Sequence, residues 1–215
     1  MQTESVWFVV VLDTNCLIHD FQGVNETLTM LQCMGRSWRV IVVVPYVVVQ
    51  ELDILKSKTP TATSSGSLVI AAARHALSWI SAVYENRAVN GNTAAAAADS
   101  DAHLPAQPFP YIIKCPRNGE VGYSFIVQSP KQRCTPYLPF NIMNRDDEIV
   151  DCCYYYARYY ELAHACEPDT HRTPPTIVVL TEDRTLRLKV TIQDEGFLCF
   201  DNAAALLNVF TATST

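Results

Sequence analysis

One stretch near the start of the chain, an apolar strand that runs into an acid, most constrains the fold. Residues 6–12 are all apolar, and most are β-branched or aromatic. A run without alternation is typical of a strand buried on both faces, as in a parallel sheet covered by helices. Asp13, Thr14 and Asn15 follow at its carboxyl end, where open α/β sheets place their ligands. The same three residues could instead only cap a following helix.

The composition indicates one compact domain over residues 1–215, with 49% hydrophobic and 18% charged residues. The formal net charge of −6 argues against a broad basic surface for phosphate backbones, so any nucleic-acid site has to be local. The longest apolar run, residues 40–49, is interrupted by Pro45 and is too short to span a membrane. We therefore expect no membrane partner.

The eight cysteines include no CxxC pair, and several lie inside apolar patterns. Residues 1–5 lack the basic region of a signal peptide. We interpret the cysteines as reduced core residues of an intracellular protein rather than as a disulfide framework. The expected compartment is the cytoplasm, with the nucleus as the alternative.

Strands and helices alternate along nearly the whole chain, which indicates an α/β fold with a parallel sheet between helices. An Asn-Gly pair between two apolar runs predicts a β-hairpin over residues 111–128. Residues 85–110 are rich in alanine and small polar residues, which predicts a flexible insertion. The remaining patterns predict helices over 16–34, 45–55, 68–84, 146–166 and 202–210, and strands over 39–44, 176–180 and 197–200.

Glu51 lies on the apolar face of the helix that begins at Pro45. It is four residues after Val47 and four before Leu55, so the three side chains share one face. A carboxylate in a core-facing stripe is costly unless a cation or hydrogen bonds meet it. Either a bound metal or a buried Arg or Lys would satisfy it.

Helical spacing separates two adjacent aspartates at the start of the longest helix. Asp146 is three residues before Ile149 and four before Val150, which predicts that it belongs to the buried face. Asp147 aligns with Asp151 and Arg158, which we predict to lie on the solvent side. Either aspartate could also simply complement the helix dipole.

The candidate site consists of acids that lie just past a strand end or on the inner face of the next helix: Asp13, Glu51, Asp146 and Asp183. Right-handed βαβ connections bring these ends to one edge of the sheet. Carboxylates about 4 Å apart repel by roughly 4 kcal/mol per pair at an effective dielectric of about 20, so we expect cations there. Oxygen ligands without Cys or His select Mg²⁺ or Mn²⁺, which usually act on phosphate esters. The chain has no GxxxxGK[ST] or GxGxxG loop.

Five stretches resemble parts of a PIN domain and follow one another in the order found in that family: VVLDTNCLI, VVVPYVVVQELDILK, AARHALSWI, NRDDEIVDCC and VVLTEDRTLRLKV. They are similar to eukaryotic PIN endoribonucleases of the nonsense-mediated-decay (Smg/Est1-like) and transcription-associated (Swt1-like) groups. The resemblance covers nearly the whole chain except residues 85–110, and the hairpin region is closer to the decay-factor type. It implies a three-layer α/β/α sandwich with a central, mainly parallel five-stranded sheet, plus a hairpin and loop insertion.

The resemblance also implies a site and a substrate, namely divalent metal and single-stranded RNA. The catalytic and metal-binding acids of the family map onto Asp13, Glu51, Asp146 and Asp183. Supporting positions map onto Thr14, Asn15, Thr181, Asp147 and Glu182. Relatives often carry Asp at the position of Glu182, and Asp183 is the better-supported ligand. Four nearby basic residues, Lys56, Arg74, Arg145 and Arg184, are predicted to contact backbone phosphates, unless they pair with surface acids.

We therefore predict an endoribonuclease that uses Mg²⁺ or Mn²⁺ to activate water for the hydrolysis of phosphodiester bonds in single-stranded RNA. The resemblance places it in mRNA surveillance or turnover, with mRNA-decay proteins as partners. The alternative is a PIN-fold module for RNA binding or assembly with negligible turnover. Some members of the family have lost acids and persist as scaffolds, whereas this chain keeps the full set, which favours an active enzyme.

Overall fold

The computed structural model describes residues 6–34, 38–59, 64–90, 111–114, 121–134, 138–165, 175–192 and 196–212. The strands are β1 (Val6–Leu12), β2 (Trp38–Val44), β3 (Tyr111–Lys114), β4 (Val121–Val127), β5 (Thr176–Leu180) and β6 (Leu198–Phe200). The helices are α1 (Thr14–His19), α2 (Phe21–Met34), α3 (Tyr46–Ser57), α4 (Ser64–Asn90), α5 (Arg145–Ala165), α6 (Arg184–Ile192) and α7 (Ala203–Ala212).

The strands form a single sheet in the order β3-β4-β2-β1-β5-β6. Neighbours from β4 to β6 pair in parallel, and among the strands of the described residues only β3 runs antiparallel, against β4. The predicted five-stranded parallel sheet is confirmed. The hairpin strand β4 is one of these five strands, and β3 extends the sheet beyond it.

Strand β1 lies between β2 and β5, with Val9 opposite Ile41 on one side and Ile177 on the other. Val9, Val10, Val11 and Leu12 are completely buried, as the continuous apolar run predicts for a strand covered on both faces. On one face Phe8 contacts Phe210 of α7, with ring centroids 4.6 Å apart. Both faces of β1 are covered, and the strand ends at Leu12. Asp13 therefore lies at the carboxyl edge of the sheet.

The first predicted helix, 16–34, is two helices with a break at Asp20. The backbone of Asp20 is not helical, yet its N–H donates to the carbonyl of Cys16 and its own carbonyl accepts from the N–H of Val24. Asp20 therefore ends α1 and begins α2. A break of one residue leaves the apolar spacing almost unchanged, so the periodicity did not reveal it.

Helix α4 is longer than predicted and continues to Asn90, so the first residues of the predicted insertion 85–110 are helical. Residues 91–110 and the Asn118-Gly119 turn lie outside the described residues.

By length and composition alone, the α4 segment Gly66–Val83 is long and apolar enough to cross a membrane. One side of this segment nevertheless packs in the core of the fold, where the buried side chains are Ile70, Ala73, Ala76 and Ile80.

Candidate active site

The predicted acids Asp13, Glu51, Asp146 and Asp183 all line one cleft of about 370 Å³. Asp13 and Asp183 follow the adjacent parallel strands β1 and β5, Glu51 is on the helix after β2, and Asp146 is in the first turn of α5. The carboxyl ends of parallel strands share one edge of the sheet, which is why residues distant in sequence meet there. The cleft is also lined by Thr14, Asn15, Ile18, His19, Ile54, Leu55, Lys58, Val69, Arg145 and Ile149.

Asp13 is the most enclosed of these acids, with only 4% of its surface exposed. Its carboxylate accepts hydrogen bonds of 2.6 Å from the Thr14 backbone N–H and of 2.6 Å from the Thr181 hydroxyl. Burial raises the pKa of Asp13 to about 6, against these two hydrogen bonds, and the Glu51 and Asp183 carboxylates add to the rise. Asp13 is also the N-cap of α1, so the cap and the site residue are the same side chain.

Glu51 lies between a hydroxyl and a guanidinium. The Thr14 hydroxyl donates to Oε2, and Arg145 Nη1 donates to Oε1 at 3.0 Å. The cationic partner that a carboxylate on an apolar face requires is therefore Arg145, at the start of α5. Arg145 still lines the cleft, and half of its side chain is exposed.

Thr181 connects Asp13 to Asp183. Its hydroxyl donates to Asp13 and accepts from the Asp183 backbone N–H at 3.0 Å, and the residue is completely buried. Asp183 Oδ1 in turn accepts from the backbone N–H groups of Thr185 (2.6 Å) and Leu186 (3.1 Å), which caps α6. The relative placement of the two acids is thus held by backbone and hydroxyl contacts.

Asp146 is partly exposed and lines the cleft, whereas Asp147 is only 8% exposed and does not line it. Lys189 of α6 lies 3.3 Å from Asp146 Oδ2 and 2.7 Å from Asp147 Oδ1. Asp147 Oδ2 also accepts from the backbone N–H groups of Met143 and Asn144, at 2.8 and 3.0 Å. Burial alone would raise the pKa of Asp147, but these hydrogen bonds and the Lys189 charge hold it below its usual value.

The predicted burial of the two adjacent aspartates was wrong: Asp146 is partly exposed, whereas Asp147 is buried. Asp151 is buried as well, although Arg158 on the same helix is exposed. The segment before α5 covers this side of the helix. Cys134 donates its backbone N–H to Asp151 at 2.9 Å, and Met143 contacts Asp147 in the same way. A loop has no periodic apolar pattern, so helical spacing could not show that one lies there.

Glu182 does not line the cleft. Its carboxylate lies 3.0 Å from Nδ1 of His19, a cleft residue that the sequence interpretation did not include. The structure begins α1 at Thr14, whereas the sequence analysis began the helix at residue 16. In a helix that includes Asn15, His19 lies four residues later and therefore on the same face. The start of α1 was the missing information.

Among the predicted basic residues, Arg145 lines the cleft and the other three do not. Lys56 pairs with Asp53 at 2.6 Å on the outer side of α3, and Lys58 lines the cleft in its place. Arg74 and Arg184 are exposed outside the cleft lining. The difference arises because α3 ends at Ser57, and the chain beyond it turns Lys58 toward the site.

The four acids and the Thr14 hydroxyl of the cleft offer oxygen ligands, which suit a hard divalent cation. The expected absence of histidine was wrong, because His19 also lines the cleft, with its ring nitrogen Nδ1 beside Glu182. Within the described part of the chain, no three Asp, Glu, His or Cys side chains lie close enough together to hold a metal ion. Glu51 is turned toward Arg145, Asp146 toward Lys189, and Asp183 toward the amides of α6. The acids of the cleft fit such a cation by type.

Comparison with known proteins gives the family. Residues 10–194, which include all of the cleft acids, match the family model described as PIN domain. No curated protein matches the sequence. One similar solved structure is that of the T. brucei RRP44 PIN domain, with 12% identity and a TM-score of 0.44 over 96% of this chain and 84% of that chain. PIN domains are generally metal-dependent nucleases. On the family match, the chain belongs to the PIN domain family and has a nuclease-type fold.

Proposed function

We propose that the protein is an endoribonuclease that hydrolyses single-stranded RNA with Mg²⁺ or Mn²⁺. The observation that carries the proposal is the convergence of Asp13, Glu51, Asp146 and Asp183 on one cleft. When bound there, a divalent cation supplies charge neutralisation for the scissile phosphate and acidity for an attacking water. The acids supply the oxygen ligands that hold it.

The residues around the acids position them before substrate arrives. Thr181 holds Asp13 and Asp183 through one hydroxyl, and the Thr14 hydroxyl holds Glu51. Hydrogen-bonded side chains on strand ends and helix starts lose little freedom on binding, which favours a reactive geometry. Asp13, with its pKa raised to about 6 by burial and by its acidic neighbours, has the most to gain from a nearby positive charge.

Arg145 is the side chain best placed to contact the RNA backbone. It pairs with Glu51 at 3.0 Å, and half of its side chain is exposed in the cleft. A cation held by Glu51 would free the guanidinium for a phosphate oxygen, with which it forms paired hydrogen bonds. Lys58, in the same cleft, offers a second positive charge. The motif resemblance further supports an mRNA substrate in surveillance or turnover with mRNA-decay proteins, in the cytoplasm or the nucleus.

A second candidate function is an RNA-binding or assembly module without turnover. It is favoured by the ion pairs Arg145–Glu51 and Lys189–Asp146, because these satisfy two of the acids without a metal. The two functions differ in whether bound RNA is cleaved.

The test is cleavage of an end-labelled, unstructured RNA by the wild type, by Glu51→Gln and by Asp53→Asn. Asp53 is an exposed carboxylate on the same helix that points away from the cleft, so it is a matched control. We expect internal cuts with Mn²⁺ or Mg²⁺, none in EDTA, and no preference for Zn²⁺. Glu51→Gln should lose activity and Asp53→Asn should keep it.

A blunt RNA duplex of the same sequence should be cut more slowly, since the net charge of −6 leaves little surface to follow a duplex backbone. RNA that stays intact in every metal while still binding would favour the second candidate. Cleavage that survives Glu51→Gln would contradict the assignment of the acids.

A further inference from the structure

The cleft has an apolar wall beside its acids. The wall consists of the exposed Ile54 and the partly exposed Ile18, Leu55 and Val69, from helices α1, α3 and α4. Ile149 of α5 also lines the cleft but is almost completely buried. Ile54 is 47% exposed, although it is a large aliphatic residue on a helix with a buried face. Holding a cation needs none of these side chains. An apolar surface left open inside a charged cleft therefore indicates contact with an uncharged part of a ligand.

We propose that this wall is a nucleobase-binding site for the nucleotide next to the scissile phosphate. The inference rests on the proposed function. A nucleotide has an anionic phosphate and an uncharged, flat base, and the cleft has a matching division. The acids and their cation face the phosphate, Lys58 and Arg145 offer positive charge to the backbone, and the aliphatic wall faces the base. The cleft volume of about 370 Å³ lies within the range of small-ligand sites.

The chemistry of the wall determines what kind of specificity it confers. Its side chains are aliphatic and offer no hydrogen bond to a base edge, so any of the four bases can pack against it. A base can reach it only after leaving its stack and its pair, which is how single-stranded RNA is usually recognised. The wall thus selects unpaired nucleotides by the presence of a free base and not by base identity.

The test is a thermodynamic cycle that removes the wall and the bases separately. Binding is measured by fluorescence anisotropy in Mn²⁺, with the Asp146→Asn protein so that the RNA stays intact. The probes are a short oligouridine and an oligomer of equal length with tetrahydrofuran abasic residues at every position. Each is titrated with the parent, with Ile54→Ser and with Ile192→Ser. Ile192 is the control because it is 68% exposed on α6, outside the cleft lining.

We expect Ile54→Ser to weaken oligouridine binding by about fivefold or more, and to leave binding of the abasic oligomer unchanged. Ile192→Ser should change neither. Equal weakening on both probes, or no weakening on oligouridine, would overturn the proposal. If thermal melting shows that Ile54→Ser does not fold, Ile54→Thr, which keeps the β-branch and shortens the apolar surface, takes its place with the same expectations.

Cleavage by the Asp146-containing wild type separates this proposal from the proposed function. Base-dependent binding through Ile54 without cleavage in any metal would refute the endoribonuclease and leave the nucleobase site standing. Cleavage with no coupling between Ile54 and the bases would refute the nucleobase site alone.

Discussion

Lys189 of α6 donates to Asp147 of α5, with 2.7 Å between Nζ and Oδ1. The same ammonium group donates to Asn144 Oδ1 at 2.8 Å and lies 3.3 Å from Asp146 Oδ2. Burial alone would lower the pKa of Lys189, but the two aspartates raise it above its usual value. This contact joins the start of α5, which carries Asp146, to the helix that follows Asp183. Adjacent aspartates consequently have different roles: Asp146 faces the cleft and Asp147 fastens the helix.

Asp146→Asn should lose cleavage, and Asp147→Asn should mainly lose stability. For Asp146→Asn we expect a fall of about 100-fold or more in the single-turnover rate, about 3 kcal/mol of transition-state stabilisation, without unfolding. For Asp147→Asn we expect the free energy of unfolding to fall by about 1–3 kcal/mol, because charged hydrogen bonds to a buried group are lost. Its cleavage rate should stay within about tenfold of wild type. The opposite order of rates would place Asp147 at the metal.

The stabilisation by Asp147 should depend on pH. Its pKa lies below the usual value of 3.8, so the unfolded state binds more protons as the pH falls below about 4. The stabilisation is present above that pH and is lost as the pH falls through the native pKa. Urea unfolding of the wild type and Asp147→Asn should therefore differ by a constant amount between about pH 5 and about pH 8, and by less below about pH 4. A difference that grows toward acid would contradict the ion pair with Lys189.

Asp13 should make the metal-free protein less stable as the pH rises. Burial raises its pKa from 3.8 to about 6, so between these values the native state binds more protons than the unfolded state. The free energy of unfolding then falls with rising pH, by at most about 3 kcal/mol. In EDTA, Asp13→Asn should lack this fall and be the more stable protein at neutral pH. If Asp13→Asn instead unfolded the domain in EDTA, the carboxylate would have a structural role.

Glu182 and Asp183 are a second pair of adjacent acids for which we expect different effects of mutation on cleavage. Asp183→Asn should reduce cleavage by about 100-fold, the usual cost of one essential electrostatic group. Glu182→Gln should retain cleavage within a few-fold, because Glu182 contacts His19 at 3.0 Å and does not line the cleft. Mn²⁺ titration by calorimetry provides an independent measurement, in which only Asp183→Asn should weaken binding. Weakened Mn²⁺ binding by Glu182→Gln would show that it is a ligand.

The sequence by itself determined the sheet and the edge at which the acids gather. A run of completely buried residues such as Val9–Leu12 needs a covered parallel strand, and parallel strands expose their carboxyl ends on one side. Asp13, Glu51 and Asp183 could therefore be assigned to one cleft from strand ends and helix faces. Asp146 also lines that cleft, but periodicity gave the wrong burial for it and for Asp147. Local periodicity contains that information.

Only the tertiary structure decided which neighbours each acid has. Arg145 and Glu51 are 94 residues apart in sequence, and Lys189 and Asp147 are 42 residues apart. Asp147 is buried because an irregular segment covers its side of α5, and irregular segments have no periodic signal. Lys58 lines the cleft because α3 ends just before it. Pairing between distant charges and the course of loops depend on the packed chain as a whole, so no local pattern of residues could indicate them.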